Sequence, residues 1–245
     1  MNKVLPYHKL ACIYDRLMDH VDYKSWSEYI MNIIRNSGRD YDSLIDLSCG
    51  TGSFINHMQG SIDVLFGCDK SGEMITHAKK KRRLATIPLF INDICNIAVS
   101  DNSFDCAVFL YDSLNYITGK SSLDKSLNEI NRILKKRGIF IFDVITENHC
   151  KEYYKDFYES EYWDNEGYSR HSYYDQKYGY QYSEFRIVLE GRTFKEKHRQ
   201  RVYTIEFLND ILDKNLFEVK DMFDDFSFEK ANDYSGRIHF VCVKL

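Results

Sequence analysis

Leu44-Ile45-Asp46-Leu47-Ser48-Cys49-Gly50-Thr51-Gly52-Ser53-Phe54 decides how this chain is read. The first half is short and apolar with one acid, the pattern of a buried parallel strand. Two glycines follow, which let the backbone turn sharply and let a ligand approach without a Cβ in the way. From Ser53 the spacing becomes helical, and the first N–H groups of such a helix point back toward the turn. Asp46 at the strand end favours a ligand with a cationic or donor-rich part. A diphosphate would be repelled there and would want only N–H groups.

Two more strand ends carry acids. Val64-Leu65-Phe66-Gly67-Cys68-Asp69 places Asp69 nineteen residues after Gly50, where a carboxylate accepts both ribose hydroxyls of a nucleoside. Leu89-Phe90-Ile91-Asn92-Asp93-Ile94 ends in Asn-Asp, and Phe104 to Leu110 supplies a fourth strand. A dinucleotide fold shares the ribose acid. However, Ile55 stands where the third glycine of G-x-G-x-x-G belongs, and Asp46 opposes a diphosphate.

Asp46-Leu47-Ser48-Cys49-Gly50-Thr51-Gly52 closely resembles motif I of the class I S-adenosylmethionine-dependent methyltransferases. The likeness is specific from Asp40 to about Val144. It implies a Rossmann-like, seven-stranded and mostly parallel α/β sheet with helices on both faces. It also implies that Asp46, Leu47, Ser48, Gly50 and Gly52 face the methionine part of the cofactor. Asp69 would take the ribose and Asp93 and Ile94 the adenine edge, with Lys70 and Met74 also in the cofactor set. Leu110 and Asn115, around the loop after strand four, complete the cofactor set together with Tyr14.

Composition bounds the rest. At 245 residues, 29% charged and 44% hydrophobic, with a net charge of −4, the chain reads as an ordinary α/β protein without a nucleic-acid signature. Seven scattered cysteines lack any C-x-x-C pair and favour free thiols in a reducing cytoplasm. Neither a signal peptide nor a membrane span is expected, and no cluster has metal-ligand spacing.

Residues 1–39 read as a helical lid. Leu10, Ile13, Tyr14, Leu17 and Met18 follow helical spacing, and Asp22 offers a cap for a second helix through Trp26, Ile30 and Ile34. Ile13-Tyr14-Asp15-Arg16-Leu17-Met18 is similar to the opening of a bacterial small-molecule subgroup near the dTDP-amino-sugar N-methyltransferases. Residues 40–150 are the cofactor-binding core. Within it a helix is expected over Ser71 to Arg83, its basic end (Lys79 to Arg83) offsetting the helix dipole. Another is expected from Ser121 or Ser122 to Gly138. Ten of the 19 tyrosines fall between Tyr153 and Tyr182, and 151–203 reads as an inserted antiparallel sheet. That sheet is expected to wall the site with aromatics, to form a dimer surface, or simply to pack as sheets do. Residues 204–245 add a helix and two strands that complete the core.

Methyl transfer from a sulfonium is an in-line displacement in which positioning is the protein's main task. A hydroxyl acceptor needs a base within reach, whereas a neutral amine does not. Tyr14, Tyr116 and His198 are the candidate catalytic residues, an imidazole titrating near neutrality. The loop after strand four, Leu110-Tyr111-Asp112-Ser113, lacks the Asn/Asp-Pro-Pro-Tyr signature of base- and glutamine-directed enzymes. The expected activity is therefore methylation of a small molecule at nitrogen, with S-adenosylmethionine as cofactor, by a cytoplasmic monomer or homodimer. The rival readings are a cofactor-binding module without transfer, an O-methyltransferase and an RNA methyltransferase.

Overall fold

The computed structural model describes residues 2–232 and 234–245. Its main sheet has the order β11-β12-β6-β5-β2-β3-β4. These strands are β2 (Ser43–Asp46), β3 (Val64–Asp69), β4 (Leu89–Ile91), β5 (Phe104–Phe109), β6 (Leu134–Ile145), β11 (Phe217–Asp224) and β12 (Arg237–Lys244). Only β12 runs against its neighbours. The chain lays β3 and β4 on one side of β2, then crosses to place β5 and β6 on the other. That reversal opens a crevice at the carboxyl ends of β2 and β5, the usual ligand position in such sheets.

Both faces of the sheet are covered. On one, Phe140, Phe142 and Phe240 pack with buried residues of α5 (Lys120–Ile133) and α6 (Ile205–Lys214). On the other, Ile141 and Val241 meet α2 (Tyr23–Asn36) and α3 (Ser53–Met58). Side-chain alternation along β6 accounts for this, since a strand buried on both faces reads as a continuous apolar run.

The N-terminal segment departs from the expected helix. Asn2–Lys3 (β1) is a strand, Leu10–Cys12 a single 3-10 turn, and α1 (Tyr14–Leu17) only four residues. The backbone N–H groups of Tyr7, Lys9 and Leu10 bond the Glu196 carboxylate at 2.7, 2.6 and 3.0 Å instead of helix carbonyls. A tertiary acceptor has overridden local periodicity. The helix expected over Ser71 to Arg83 is likewise shorter. It is α4 (Gly72–Lys80), followed by a 3-10 turn at Arg82–Leu84, because Lys81 turns out of helix to reach Asp15 at 2.8 Å. Helix α5 starts at Lys120, capped by Gly119 without a side-chain bond, and ends at Ile133 rather than Gly138, which lies inside β6.

A second sheet, ordered β1-β10-β9-β8-β7, rises beside the core. Strands β7 (Phe157–Trp163), β8 (Glu166–Asp175), β9 (Tyr180–Leu189) and β10 (Arg192–Arg201) are antiparallel, and β1 joins the β10 edge in parallel. Its apolar face, with Trp163, Tyr168, Phe185 and Ile187, packs on Leu10, Ile13 and Leu17. The Arg16 guanidinium lies 4.1 Å from the Trp163 ring centroid. The aromatic-rich strands therefore grip the N-terminal segment.

His239 on β12 is fully buried among Trp26 and Tyr29 of α2 and the Phe226 ring. Burial and the nearby Arg237 charge push its imidazole down to about 3. Below its ordinary value near 6.5 the unfolded chain takes a proton that the folded chain refuses, so stability falls with pH across that window. The expected loss is about 2 kcal/mol between pH 7.5 and pH 5. Thermal melts at the two pH values should differ less for His239→Phe than for the wild type. An equal difference would show that His239 is not the titrating group.

Candidate functional site

The crevice is a cavity of about 700 Å³. Its floor is the turn between β2 and α3. Gly50 and Gly52 both sit at left-handed φ, +54° and +80°. A Cβ on Gly52 would come 2.4 Å from the Leu84 side chain, whereas one on Gly50 would meet nothing closer than Tyr14 at 3.9 Å. Gly52 is thus required for packing behind the turn, and Gly50 for the open side.

Asp46 ends β2, buried, with Oδ1 accepting the Ser48 N–H at 3.0 Å. Burial raises its carboxyl to about 7 against the pull of Ser48, and the Asp69 charge adds to the rise. Asp69 ends β3 and accepts Gly50 N–H at 2.9 Å on one oxygen and Ser71 N–H at 2.8 Å on the other. Burial raises its carboxyl too, opposed by those N–H groups. Asp93 differs: Lys70 at 2.8 Å and the Cys95 N–H at 2.9 Å hold its carboxyl low. Asp46, buried, and Asp69, half-buried, thus face the cavity without a cation of their own.

The roof is the N-terminal strap. Leu5, Pro6, Tyr7, His8 and Tyr14 line the cavity, Tyr7 at a left-handed φ of +62°. Three ties fasten it: Glu196 on β10, the His8–Glu73 pair to α4, and Asp15, which meets Thr51 and Lys81 of the core. The Tyr14 hydroxyl takes no hydrogen bond from the described residues and so remains available to a ligand.

The third wall is the loop after β5. Tyr111 and Asp112 are both left-handed, at φ +61° and +48°. Tyr111 stacks on Trp26 at 4.4 Å, and Asp112 is clamped by Arg237 (2.9 Å), by Gln200 and through its own N–H by Asp143 (2.9 Å). Burial raises the Asp112 carboxyl despite Arg237. Further on, the Tyr116 hydroxyl bonds His198 Nδ1 at 2.9 Å.

Most residues singled out from the sequence meet on this cavity: Tyr14, Asp46, Leu47, Ser48, Gly50, Asp69, Lys70, Met74, Asp93, Ile94, Leu110 and Tyr116. Gly52, Asn115 and His198 do not line it. Asn115 is fully buried, its Nδ2 donating to Arg201 O at 2.7 Å and its Oδ1 accepting Ile145 N–H at 3.3 Å. Asn115 therefore staples the loop to β10 and β6. His198 is buried behind Tyr116. Among the described residues, nothing from 151–203 lines the cavity, so the aromatic insertion acts by holding the strap. Sequence reasoning missed Tyr7, hidden in a stretch read as helix, and Glu196. Strand alternation puts Glu196 on the same face as His198, a signal that could have found it.

Among the described residues no helix is long and apolar enough to cross a membrane. No group of three His, Cys, Asp or Glu side chains among them could hold a metal ion.

Comparison with known proteins agrees with this geometry. A family profile described as a methyltransferase domain matches residues 45–142, which span β2 to β6. YqeM of Bacillus subtilis, which carries methyltransferase as a provisional name, is 28% identical over 97% of each chain. The dTDP-3-amino-3,4,6-trideoxy-alpha-D-glucopyranose N,N-dimethyltransferase of Streptomyces venezuelae is 25% identical over half of each chain. An S-adenosylmethionine-dependent methyltransferase from Clostridium acetobutylicum superposes with a TM-score of 0.83 at 26% identity, covering 97% of this chain and 98% of that one. With its cavity strands inside the matched domain and its whole length shared with that Clostridium enzyme, the chain is an S-adenosylmethionine-dependent methyltransferase.

Proposed function

We propose that the enzyme methylates a nitrogen of a small molecule held under the strap. The observation that carries this reading is the lining of the cavity. It is roofed by tyrosines, closed by a fastened strap, and among its described lining residues has one lysine, already paired, and no arginine. A nucleic-acid acceptor calls for a basic track instead. About 700 Å³ suits a nucleoside cofactor plus a compact acceptor. The amino-sugar relative favours nitrogen, its printed name being that of an N,N-dimethyltransferase.

In this reading the unpaired acids fit the cofactor. Asp46 faces the amino end with Leu47, Ser48, Gly50 and Leu110 nearby. Asp69 takes the ribose with Lys70 and Met74 alongside, and Asp93 and Ile94 read the adenine edge. The bound cofactor supplies an activated methyl on a sulfonium. The protein aligns the acceptor with it, and the Tyr7 and Tyr14 rings offer π-faces to the positive charge. The four segments 1–39, 40–150, 151–203 and 204–245 serve as lid, cofactor core, support and core completion. The enzyme works in the cytoplasm on a diffusible substrate, as a monomer or homodimer. Transfer to a hydroxyl is the second reading, favoured by the histidine behind Tyr116.

Turnover of nucleotide amino sugars and simple amines, set against matched hydroxyl compounds and an RNA transcript, tests the acceptor class. Amines alone should become methylated. Tyr14→Phe should slow that turnover by roughly tenfold with cofactor affinity held within about threefold, since one positioning hydrogen bond is lost. Methylation confined to hydroxyls or RNA would overturn the reading.

A further inference from the structure

Four polar side chains form a hydrogen-bonded line from the cavity wall into the second sheet. Tyr7 OH lies 2.8 Å from Tyr116 OH, Tyr116 OH 2.9 Å from His198 Nδ1, and His198 Nε2 3.1 Å from Glu196 Oε2. Tyr7 and Tyr116 line the cavity, while His198 and Glu196 are each about 1% exposed.

The direction of the line follows from its buried end. The Glu196 carboxylate accepts three backbone N–H groups from the strap. Burial alone would raise its carboxyl, but His198 and those N–H groups win and hold it low, so it is ionised and accepts only. In the neutral ring His198 then carries its proton on Nε2 and presents Nδ1 as an acceptor. Tyr116 donates to Nδ1 and in turn accepts from Tyr7. The one acceptor site left over is a lone pair on the Tyr7 oxygen, at the cavity wall. Burial pushes both phenols well above their ordinary range, so neither stands as a phenolate, and the basic atom of the line is His198 Nδ1.

We propose that Tyr7 receives the proton released by the methyl acceptor and passes it through Tyr116 to His198, with Glu196 as the positioning residue. The proposal rests on the nitrogen reading above. The acceptor nitrogen's lone pair forms the new N–C bond as the C–S bond breaks with its electron pair going to sulfur. The ammonium proton then moves to Tyr7 O, the Tyr7 proton to Tyr116 O, and the Tyr116 proton to Nδ1. The imidazolium formed faces Glu196, and its other neighbours are the Tyr7 and Phe185 rings, at 4.7 and 5.0 Å. Asp112 and Asp69 act on the phenols from the core side, and Arg170 lies across Phe185, at 5.9 Å. One carboxylate thus fixes both ends of the device. It takes the Tyr7 N–H and the His198 N–H, so the line is complete only when the strap is down.

Two measurements need no methyl acceptor and so stand or fall separately from the nitrogen reading. The first is imidazole ¹⁵N NMR of the complex with S-adenosylhomocysteine. It should show His198 protonated at Nε2 and bare at Nδ1, with Tyr116→Phe moving the Nδ1 resonance. Protonation at Nδ1, or a spectrum indifferent to Tyr116→Phe, overturns the line. The second uses sinefungin, an analogue carrying an amino group in place of the sulfonium methyl. It should bind at least about tenfold tighter than S-adenosylhomocysteine, because its ammonium donates to Tyr7 O. In Tyr7→Phe that preference should fall to about threefold or less. A preference unchanged in Tyr7→Phe shows that Tyr7 does not receive the proton.

Discussion

Asp69→Ala is expected to weaken cofactor binding by about two to four orders of magnitude. Each Asp69 oxygen already holds one loop N–H, from Gly50 or Ser71, and a carboxylate oxygen has room for a second donor. In the proposed arrangement the ribose hydroxyls fill those places. Hydrogen bonds to a charged group contribute roughly 1.5–3 kcal/mol each, so two lost bonds convert to roughly that loss in affinity. Asp69→Asn keeps the side-chain volume but turns one oxygen into a donor, and should cost at least about tenfold. Calorimetry with S-adenosylhomocysteine measures both. Wild-type affinity in the two variants would mean that the nucleoside lies elsewhere.

Arg237→Ala should give the largest loss of stability of any single change considered. Arg237 is half-buried between the fully buried Asp143 on β6 and the half-buried Asp112 on the strained loop after β5. Asp143 already has one oxygen with no hydrogen bond among the described residues. Removing the guanidinium leaves two carboxylates without a counter-charge, which costs about 3–5 kcal/mol in comparable buried pairs. For a chain of this size the expected drop in Tm is about 10 °C. Arg237→Met combined with Asp112→Asn and Asp143→Asn removes all the charges together and should recover much of it. A melting point unmoved by Arg237→Ala would show that the cluster is solvated. A triple variant no better than the single one would show that volume, not charge, sets the cost.

The strand–turn–helix around Asp46, the acid at the end of the next strand and the mostly parallel sheet they imply were legible because they are local. Period, glycine placement and one acid per strand end lie within a few residues of each other. The antiparallel insertion was legible by alternation, and its role was not. Its aromatic face covers Leu10, Ile13 and Leu17. No spacing within either segment reveals that pairing. The same limit explains the N-terminal segment, where apolar spacing indicated helix but Glu196, almost two hundred residues away, captured the N–H groups a helix would have used. Asn115 and His198 were expected at the site, and both lie off the cavity. Their burial behind the wall depends on how β10 docks against the loop, and that is a tertiary fact.

A crystal structure of the complex with S-adenosylhomocysteine tests the central claim most directly. The account predicts ribose hydroxyls about 2.6–3.2 Å from the Asp69 carboxylate. It also predicts the amino group facing Asp46, the adenine edge at Asp93 and Ile94, and the sulfur beneath Tyr7 and Tyr14. A nucleoside bound outside this crevice, or one reversed so that adenine meets Asp46, would contradict it.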